Sequence, residues 1–259
     1  MERWSPLSTR VLAPNPGPMT LDGTNSYLLG SGHSRVVVDP GPLDEVHLDR
    51  LAAHPVELVL ITHHHRDHTE ASVEFARRTG APVRAFDPEF CVGGDPLVDG
   101  EELLVAGVRI RVVATPGHTA DSVCFHLPDD GPHGSVVTGD TILGRGTTVI
   151  VHPGGSLSDY LTSLNRLSEL GPATALTAHG PMLPDLAAAC ESYRAHRAER
   201  LGQVQDALAR LDLLPSLDAA TVTAVTDAVY PHTPAEIRFA AEASVRAQLV
   251  FLAEGGTLS

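Results

Sequence analysis

Four histidines and an aspartate stand within six residues of this chain, directly after an apolar run. The stretch LVLITHHHRDH places His63 and His65 two residues apart, and Asp67 and His68 follow them. In an extended or turning backbone, side chains two residues apart can point at one ion, while the next pair, at the start of a helix, can point at another. His64 would lie between the first pair and point away. This spacing favours a metal site over a polar loop that happens to be rich in histidine.

Three more ligand-type residues occur further along the chain, each at the end of an apolar run and beside a glycine. They are His118 in ATPGHTADS, Asp140 in VVTGDTILG and His179 in LTAHGPM. Glycine marks the positions where the backbone must turn tightly, and α/β proteins bind their ligands at the carboxyl ends of strands. One ion takes three or four protein ligands, so seven candidates are enough for two ions that share one carboxylate.

The elements that must position these residues can be read from the spacing of apolar residues. Runs rich in β-branched residues, each closed by a turn signal, predict strands over 35–41, 56–62, 108–117, 122–127, 135–140 and 173–180. Helices are predicted after the histidine cluster, ending before Gly80, and over the leucine-rich stretch before Gly171. From Asp185 onward the sequence changes to long Ala, Leu, Arg and Glu runs. We therefore divide the chain into a catalytic domain, residues 1–184, and a helical C-terminal extension, residues 185–259.

Composition and charge exclude several kinds of chemistry. The 259 residues carry a formal charge of −14, and all 18 basic residues are arginine. Without lysine, the chain cannot form a Schiff base, use a lysine nucleophile or build a phosphate-binding P-loop. A net negative surface also repels nucleic acid over distance, so no DNA partner is expected.

The cysteines and the apolar segments bear on the cellular compartment. Cys91, Cys124 and Cys190 are odd in number and far apart, which argues against a disulfide framework and for small buried side chains. No apolar stretch has the length of a membrane span or the pattern of a signal peptide. The sequence therefore predicts a cytoplasmic protein with no membrane partner.

The ordered set of motifs resembles the metallo-β-lactamase superfamily. The motifs are H-x-H-x-D-H at residues 63–68, T-P-G-H at 115–118, G-D at 139–140 and H-G at 179–180. The resemblance implies an α+β fold, a four-layer αββα sandwich with a dinuclear centre between the sheet edges. It would assign His63, His65 and His118 to the first metal, Asp67, His68 and His179 to the second, and Asp140 to both as a bridging carboxylate. Because no cysteine stands near Asp140, the chain resembles the hydroxyacylglutathione-hydrolase and ribonuclease branch, and it is not expected to be a true β-lactamase.

A narrower resemblance covers nearly the whole chain. NPGPMTLDGTNSYLLG, TPGHTADS, GDTILGRGTTV and the helical extension resemble the beta-lactamase-like protein 2 group, which includes an endoribonuclease and, among related fungal enzymes, thioesterases of polyketide synthesis. That resemblance implies a winged-helix-like extension. Two stretches depart from the pattern: Thr69-Glu70-Ala71 replaces a small residue and two glycines, and Thr177-Ala178 replaces proline-glycine. The extension carries six arginines against nine acidic residues over 190–259, so we expect it to pack over the catalytic domain instead of reading nucleic acid.

The ligand types indicate hydrolysis. Two divalent ions would lower the pKa of a shared water from 15.7 to about 7, and the resulting metal-bridging hydroxide would attack a carbonyl carbon or a phosphorus. Asp67 is the catalytic candidate, because it could both orient that hydroxide and take its proton. Five imidazoles and two carboxylates suit zinc, two ions per chain, although iron or manganese would also be accepted.

Several functions remain open at this stage. The acidic surface and the lack of lysine favour a small ester or thioester of an acyl group, while the resemblance over the whole chain also allows cleavage of single-stranded RNA. A mononuclear iron sulfur dioxygenase using His63, His65 and His118, or an inactive scaffold that keeps the metal fold, are further alternatives. Outside the seven ligands, His152, Arg145 and Tyr160 are interpreted as structural, and His126 as an ordinary residue of a sheet. Solvent-exposed positions are expected for six histidines: His33, His47, His54, His133, His196 and His232.

Overall fold

Two mixed β-sheets pack face to face at the centre of the computed structural model, which describes residues 1–257. The first sheet has six strands in chain order: β1 (Glu2–Arg3), β2 (Ser8–Leu12), β3 (Asn25–Leu29), β4 (Arg35–Val38), β5 (Val56–Leu60) and β6 (Val83–Arg84). Strands β1 to β4 pair antiparallel, and β5 and β6 are added in parallel.

The second sheet contains five strands in the order β11-β10-β9-β8-β7. Their bounds are β7 (Glu102–Val105), β8 (Val108–Ala114), β9 (Val123–Leu127), β10 (Ser135–Gly139) and β11 (Thr174–Thr177). Only β10 and β11 run parallel; the other neighbours are antiparallel.

Helices cover the outer faces of both sheets. They are α1 (Glu45–Leu51), α2 (Arg66–Thr69), α3 (Ser72–Thr79), α4 (Leu157–Ser168), α5 (Leu186–Leu211), α6 (Ala219–Val229) and α7 (Arg238–Ala253). None of the helices in residues 1–257 is long and apolar enough to cross a lipid bilayer.

The core follows from the alternation of side chains along the strands. Val38 and Leu60 of the first sheet meet Ile110 and Phe125 of the second between the sheets. Val37, on the opposite face of β4, packs instead under α1 and α3. On the outer face of the second sheet, apolar residues pack against α4 and α5. The expected αββα sandwich with a helical C-terminal extension is confirmed.

The extension packs directly on the second-sheet side of the sandwich. Cys190 and Leu201 of α5 and Phe251 of α7 belong to the same buried cluster as Val136 of β10. Between residues 185 and 257 the structure has helices and no β-strand, so these residues form no β-wing. The boundary at residue 184 remains a prediction, because the apolar core continues across it.

Each of the six predicted strands is present, and several end earlier than predicted because the chain turns before the ligand. Strand β8, for example, ends at Ala114, four residues before His118. Strands β1, β2, β3, β6 and β7 and helix α1 were not predicted from the sequence. Strand β3 is buried at every position, so it lacks the alternation by which a strand is recognised.

Candidate metal centre

The seven predicted ligands lie together where the two sheets meet. His63 and His65 follow β5, Asp67 and His68 belong to α2, and His118, Asp140 and His179 follow β8, β10 and β11. One group, in which the ligand atoms lie within 4.8 Å of one another, is formed by His63, His65, His118 and Asp140. The second group, within the same distance, is formed by Asp67, His68 and His179. Residues separated by up to 116 positions are thus brought to one place by the carboxyl ends of strands from both sheets.

Asp140 connects the two groups. Its Oδ2 lies 3.5 Å from Nε2 of His118 in the first group, and its Oδ1 lies 3.3 Å from Nε2 of His179 and 3.7 Å from Nε2 of His68 in the second. In the second group, Oδ2 of Asp67 lies 3.3 Å from Nε2 of His68 and 3.2 Å from Nε2 of His179. This placement fits the bridging role that the resemblance implies for Asp140.

The arrangement of nitrogens and oxygens fits bound cations. Nδ1 of His65 lies 2.9 Å from Nε2 of His63 and 3.0 Å from Nε2 of His118, so three ring nitrogens converge on one point. Within residues 1–257, Nε2 of His68 and Oδ1 of Asp140 are buried and have no hydrogen-bond partner. Buried polar atoms are rarely left unpaired. A metal ion in the second group, which both atoms face, would satisfy them.

In three of these histidine rings Nδ1, the nitrogen that points away from the centre, lies beside an oxygen atom of the protein. Nδ1 of His68 lies 2.8 Å from Oδ2 of Asp39, Nδ1 of His118 lies 2.8 Å from the Val149 carbonyl, and Nδ1 of His179 lies 3.1 Å from the Gly23 carbonyl. When Nδ1 donates to these oxygens, Nε2 of each ring is left with its lone pair facing the centre. Such partners fix the orientation and tautomer of metal-binding histidines.

Asp39 is a functional candidate that the sequence analysis missed. It is buried after β4, with φ of 50°, in the left-handed region. Its carboxylate also accepts hydrogen bonds from the backbone and hydroxyl of Thr62, the residue before His63. The only signal in the sequence was an acidic residue that ends the apolar run RVVVD, which we interpreted as a turn.

Burial keeps the first group of imidazoles neutral. It lowers the pKa of His63 well below its usual value, and the neighbouring His68 and His118 lower it further. Burial, followed by the charge of His118, lowers the pKa of His65 to about 4. Burial also lowers the pKa of His118. Neutral imidazole is the form that binds metal, so these three residues are ready to bind at neutral pH.

The second group behaves differently because it contains carboxylates. Burial opposes the charged form of His68, but the carboxylates of Asp67 and Asp39 outweigh it and raise the pKa of that ring well above its usual value. Burial likewise opposes ionisation of Asp67, yet His68 and His179 hold the pKa of that carboxyl far below its usual range. The second group therefore attracts positive charge, which a cation would supply.

Two glycines allow the close approaches that place His118 and Asp140. Gly117 has φ of 138°, and a Cβ added there would lie 2.4 Å from Cα of Tyr160. Gly139 has φ of 50°, and its Cβ would lie 2.8 Å from Cβ of Thr62. Each ligand loop thus packs against neighbouring residues at a distance that only glycine permits.

His64 and Arg66 lie outside both groups, as the spacing predicts. Nδ1 of His64 lies 2.6 Å from Oδ1 of Asp121, and Arg66 pairs with Glu70 on the surface. Tyr160 is buried and donates to the Thr141 carbonyl, and Arg145 pairs with Asp22. These contacts agree with the structural roles expected for them.

The expectation that His47 is solvent-exposed was wrong. The residue is 1% exposed, because α1 packs on the first sheet and turns this side chain inward, where Nε2 lies 3.0 Å from Oγ of Ser26. Burial lowers the pKa of His47 to about 4. A seven-residue helix was too short for its buried face to be recognised from the sequence.

The two departures from the resembling family are accommodated by hydrogen bonds. The Thr69 hydroxyl donates to the carbonyls of His64 and His65, which closes the turn that carries the first ligands. The Thr177 hydroxyl lies 3.1 Å from the His179 carbonyl and 3.0 Å from the Pro181 carbonyl. Both threonines therefore brace ligand loops instead of disturbing them.

Comparison with known proteins agrees with this geometry. Residues 19–179 match the metallo-beta-lactamase superfamily. The chain is 32% identical to a beta-lactamase-like protein 2 homolog from Caenorhabditis elegans, over 100% of this chain and 88% of the relative. It is 35% identical to an atrochrysone carboxyl ACP thioesterase from Aspergillus chevalieri, over 80% of this chain and 68% of the relative.

A solved structure extends the likeness to nearly the whole fold. The crystal structure of a metallo-beta-lactamase family protein from Thermus thermophilus matches with a TM-score of 0.77 at 26% identity, covering 96% of this chain and 94% of that one. Together with the family match and the relatives, this confirms the resemblance found in the motifs. The chain belongs to the metallo-β-lactamase superfamily.

Proposed function

We propose that this chain is a dinuclear metal-dependent hydrolase that cleaves the ester or thioester of a small acyl substrate. The observation that carries the proposal is the pair of buried ligand groups joined by Asp140. The similarity to a protein named as a carrier-protein thioesterase supports an acyl thioester as the substrate class.

The ligand groups suggest how the ions would be held. His63, His65 and His118 would bind the first ion, Asp67, His68 and His179 the second, and Asp140 both. Zinc suits imidazole and carboxylate ligands, and iron or manganese could replace it because the set has no thiolate. When bound, such ions supply Lewis-acid catalysis and a nucleophile at neutral pH.

Asp67 is the residue that we assign to proton transfer. Its side chain is 28% exposed, against 13% for Asp140, so it reaches the open side of the centre. Oδ2 accepts a hydrogen bond from the Thr24 hydroxyl at 3.2 Å and lies beside Nε2 of His68 and of His179. The low pKa of Asp67 keeps it ionised, so Oδ1 can accept a hydrogen bond from the attacking water, orient it and direct its proton to the departing thiol or alcohol.

The charge of the chain favours a small substrate over RNA. A formal charge of −14 without lysine opposes binding of a long phosphate backbone, and the acidic extension adds no basic surface for it. The absence of a cysteine ligand beside Asp140 argues against a β-lactam substrate. We place the reaction in the cytoplasm, where three unpaired cysteines stay reduced.

The experiment that tests this function compares two substrate classes on the zinc-loaded protein. A panel of acyl thioesters and a labelled single-stranded RNA are incubated with the wild type, with Asp67→Ala and with Asp49→Ala, which removes an exposed carboxylate on α1. We expect the wild type to cleave thioesters, the rate of cleavage to fall roughly 10²- to 10⁴-fold in Asp67→Ala, and the wild-type rate to be retained in Asp49→Ala. Cleavage of RNA alone, lost in Asp67→Ala, would overturn the assignment of substrate.

A further inference from the structure

A cavity of about 270 Å³ lies beside the metal centre, between residues 147–149, α5 and the start of α7. His196, Arg197 and Arg200 line it from one side of α5. Among the described residues that line the cavity, none is acidic. On a chain with a formal charge of −14, two arginines without an acid form a local site of the opposite sign, and burial lowers the pKa of His196, which leaves that ring neutral.

The arginines in this cavity have neutral partners. Arg197 donates to the Thr148 carbonyl, and Arg200 donates to Oε1 of Gln203 at 2.8 Å. Arg197 is only 6% exposed, and within residues 1–257 its Nε has no hydrogen-bond partner. A buried cationic donor without an acceptor is costly. Within residues 1–257 neither guanidinium forms an ion pair, so an anion in the cavity would neutralise positive charge that has no acidic partner.

The cavity and the metal ligands share one short segment of chain. Thr148 donates through its hydroxyl to the Asp140 carbonyl, and the Val149 carbonyl lies 2.8 Å from Nδ1 of His118. Both residues also line the cavity. A molecule with one group in the cavity would therefore lie next to the two metal-ligand loops.

The size of the cavity suits one group of a larger substrate. Pockets that enclose a drug-sized molecule have about 300–1,000 Å³, so this one would take an end group and leave the rest outside. Guanidinium groups bind phosphate through paired hydrogen bonds, and the Tyr230 ring, 5.5 Å from the Arg200 guanidinium, helps to fix it. Ile237 and Ala241 add an apolar wall for the adjoining carbon chain.

We propose that this cavity binds the phosphate of a phosphopantetheine-type acyl thioester while the thioester carbonyl lies at the metal centre. The inference rests on the proposed hydrolase function and names its substrate class. A single small site fits one phosphate better than the row of phosphodiesters in RNA. The phosphate could come from coenzyme A or from the arm of an acyl carrier, and the test separates the two.

The test compares thioesters that differ only in the phosphate. We measure kcat/KM of the zinc-loaded protein for acetyl-4′-phosphopantetheine, acetyl-pantetheine and acetyl-coenzyme A. We expect the phosphate to raise kcat/KM roughly 10- to 100-fold, the gain from charge-assisted hydrogen bonds. Arg200→Gln should reduce this ratio towards one, and Arg200→Lys should restore part of it.

Arg194→Gln is the matched control. Arg194 lies on the same helix, six residues earlier, and donates to Asn165 outside this cavity. It lines a different cavity, between α4 and α5, that also contains Glu169 and Glu191. The substitution removes the same charge, so a general loss of positive charge would lower the phosphate preference in both variants. The proposal requires the loss in Arg200→Gln only.

A binding measurement separates this inference from the proposed function. Calorimetry with 4′-phosphopantothenate and with pantothenate, which carry no thioester, should show tighter binding of the phosphorylated compound and loss of that preference in Arg200→Gln. If the protein binds 4′-phosphopantothenate in a way that depends on Arg200 but cleaves no thioester, the phosphate site is supported and the hydrolase function is rejected. Thioester cleavage with equal kcat/KM for the two pantetheine substrates would reject the site.

Three further results decide the source of the phosphate. Equal kcat/KM for acetyl-4′-phosphopantetheine and acetyl-coenzyme A would assign the phosphate to the arm of an acyl carrier, and a preference for acetyl-coenzyme A that needs its nucleotide would assign it to coenzyme A. Competition by inorganic phosphate without discrimination among thioesters would indicate an adventitious anion site only. Displacement of 4′-phosphopantothenate by single-stranded RNA, dependent on Arg200, would assign the cavity to nucleic acid instead.

Discussion

Replacing Asp39 by asparagine would change one oxygen beneath the metal centre and little else. Oδ1 of Asp39 lies 2.8 Å from the Thr62 backbone nitrogen, and Oδ2 lies 2.7 Å from the Thr62 hydroxyl and 2.8 Å from Nδ1 of His68. Asparagine tolerates the left-handed backbone at this position about as well as aspartate does. Its amide, however, offers a single acceptor, so at least one of these buried donors would face an NH₂ group.

The size of the effect can be worked out from these contacts. A buried donor left without an acceptor costs about 1–3 kcal/mol, so we expect Asp39→Asn to lower the free energy of unfolding of the metal-free protein by that amount. Loss of a histidine's outer partner lowers metal affinity roughly 10- to 100-fold, which corresponds to about 1.4–2.8 kcal/mol. Because Asp39 contacts His68, the second ion should be weakened more than the first.

Metal competition with a chelating dye measures both affinities, and urea unfolding of the metal-free protein measures stability. Asp130→Asn is the matched control. Asp130 is also buried and accepts from the Leu7 nitrogen at 2.8 Å and the Ser135 hydroxyl at 2.5 Å, but it contacts no member of either ligand group. We expect it to lose comparable stability while keeping wild-type metal affinity. Normal metal affinity in Asp39→Asn, or an equal loss in Asp130→Asn, would refute the role given to Asp39.

Two other predictions concern stability. Gly117→Ala should lower the free energy of unfolding by about 1–3 kcal/mol or more, because the added Cβ clashes with Tyr160, and it should weaken metal binding at His118. Gly146→Ala is the control: Gly146 has φ of 71° and no atom within 4 Å of the added Cβ, so this variant should show only the backbone strain. Urea unfolding and metal titration of both variants test this; equal losses would contradict it. Burial holds His47 neutral in the fold, whereas the unfolded chain binds a proton on this ring below about pH 6.5. The free energy of unfolding should therefore fall by roughly 3 kcal/mol as the pH falls from 6.5 towards 4. In His47→Gln the difference between unfolding free energies at pH 7 and pH 4.5 should shrink by about 2–3 kcal/mol, and an unchanged difference would rule out this pH dependence.

The ligand set could be predicted from the sequence because its signals are local. His63 follows the apolar strand β5 directly, and His118, Asp140 and His179 each have a glycine beside them where the chain turns. Strands that end in such turns bring their last residues to a common edge. The metal roles of these residues remain a proposal, but their meeting in space follows from that simple rule.

The supporting residues could not be predicted, because their meaning depends on partners far away in the chain. Asp39 contacts His68, 29 residues later, and nothing near RVVVDPG indicates that contact. The burial of His47 depends on the packing of α1 against the first sheet. The cavity beside the metal centre is formed by residues 147–149, α5 and α7, which only tertiary packing brings together.

The most direct test of the central claim is anomalous diffraction, at the zinc absorption edge, from crystals of the zinc-loaded protein. The proposal predicts two peaks per chain. One should lie about 2.0–2.2 Å from the ligand atoms of His63, His65 and His118, the other at the same distance from those of Asp67, His68 and His179, with Asp140 between them. A single peak, or zinc bound away from these residues, would contradict the dinuclear centre.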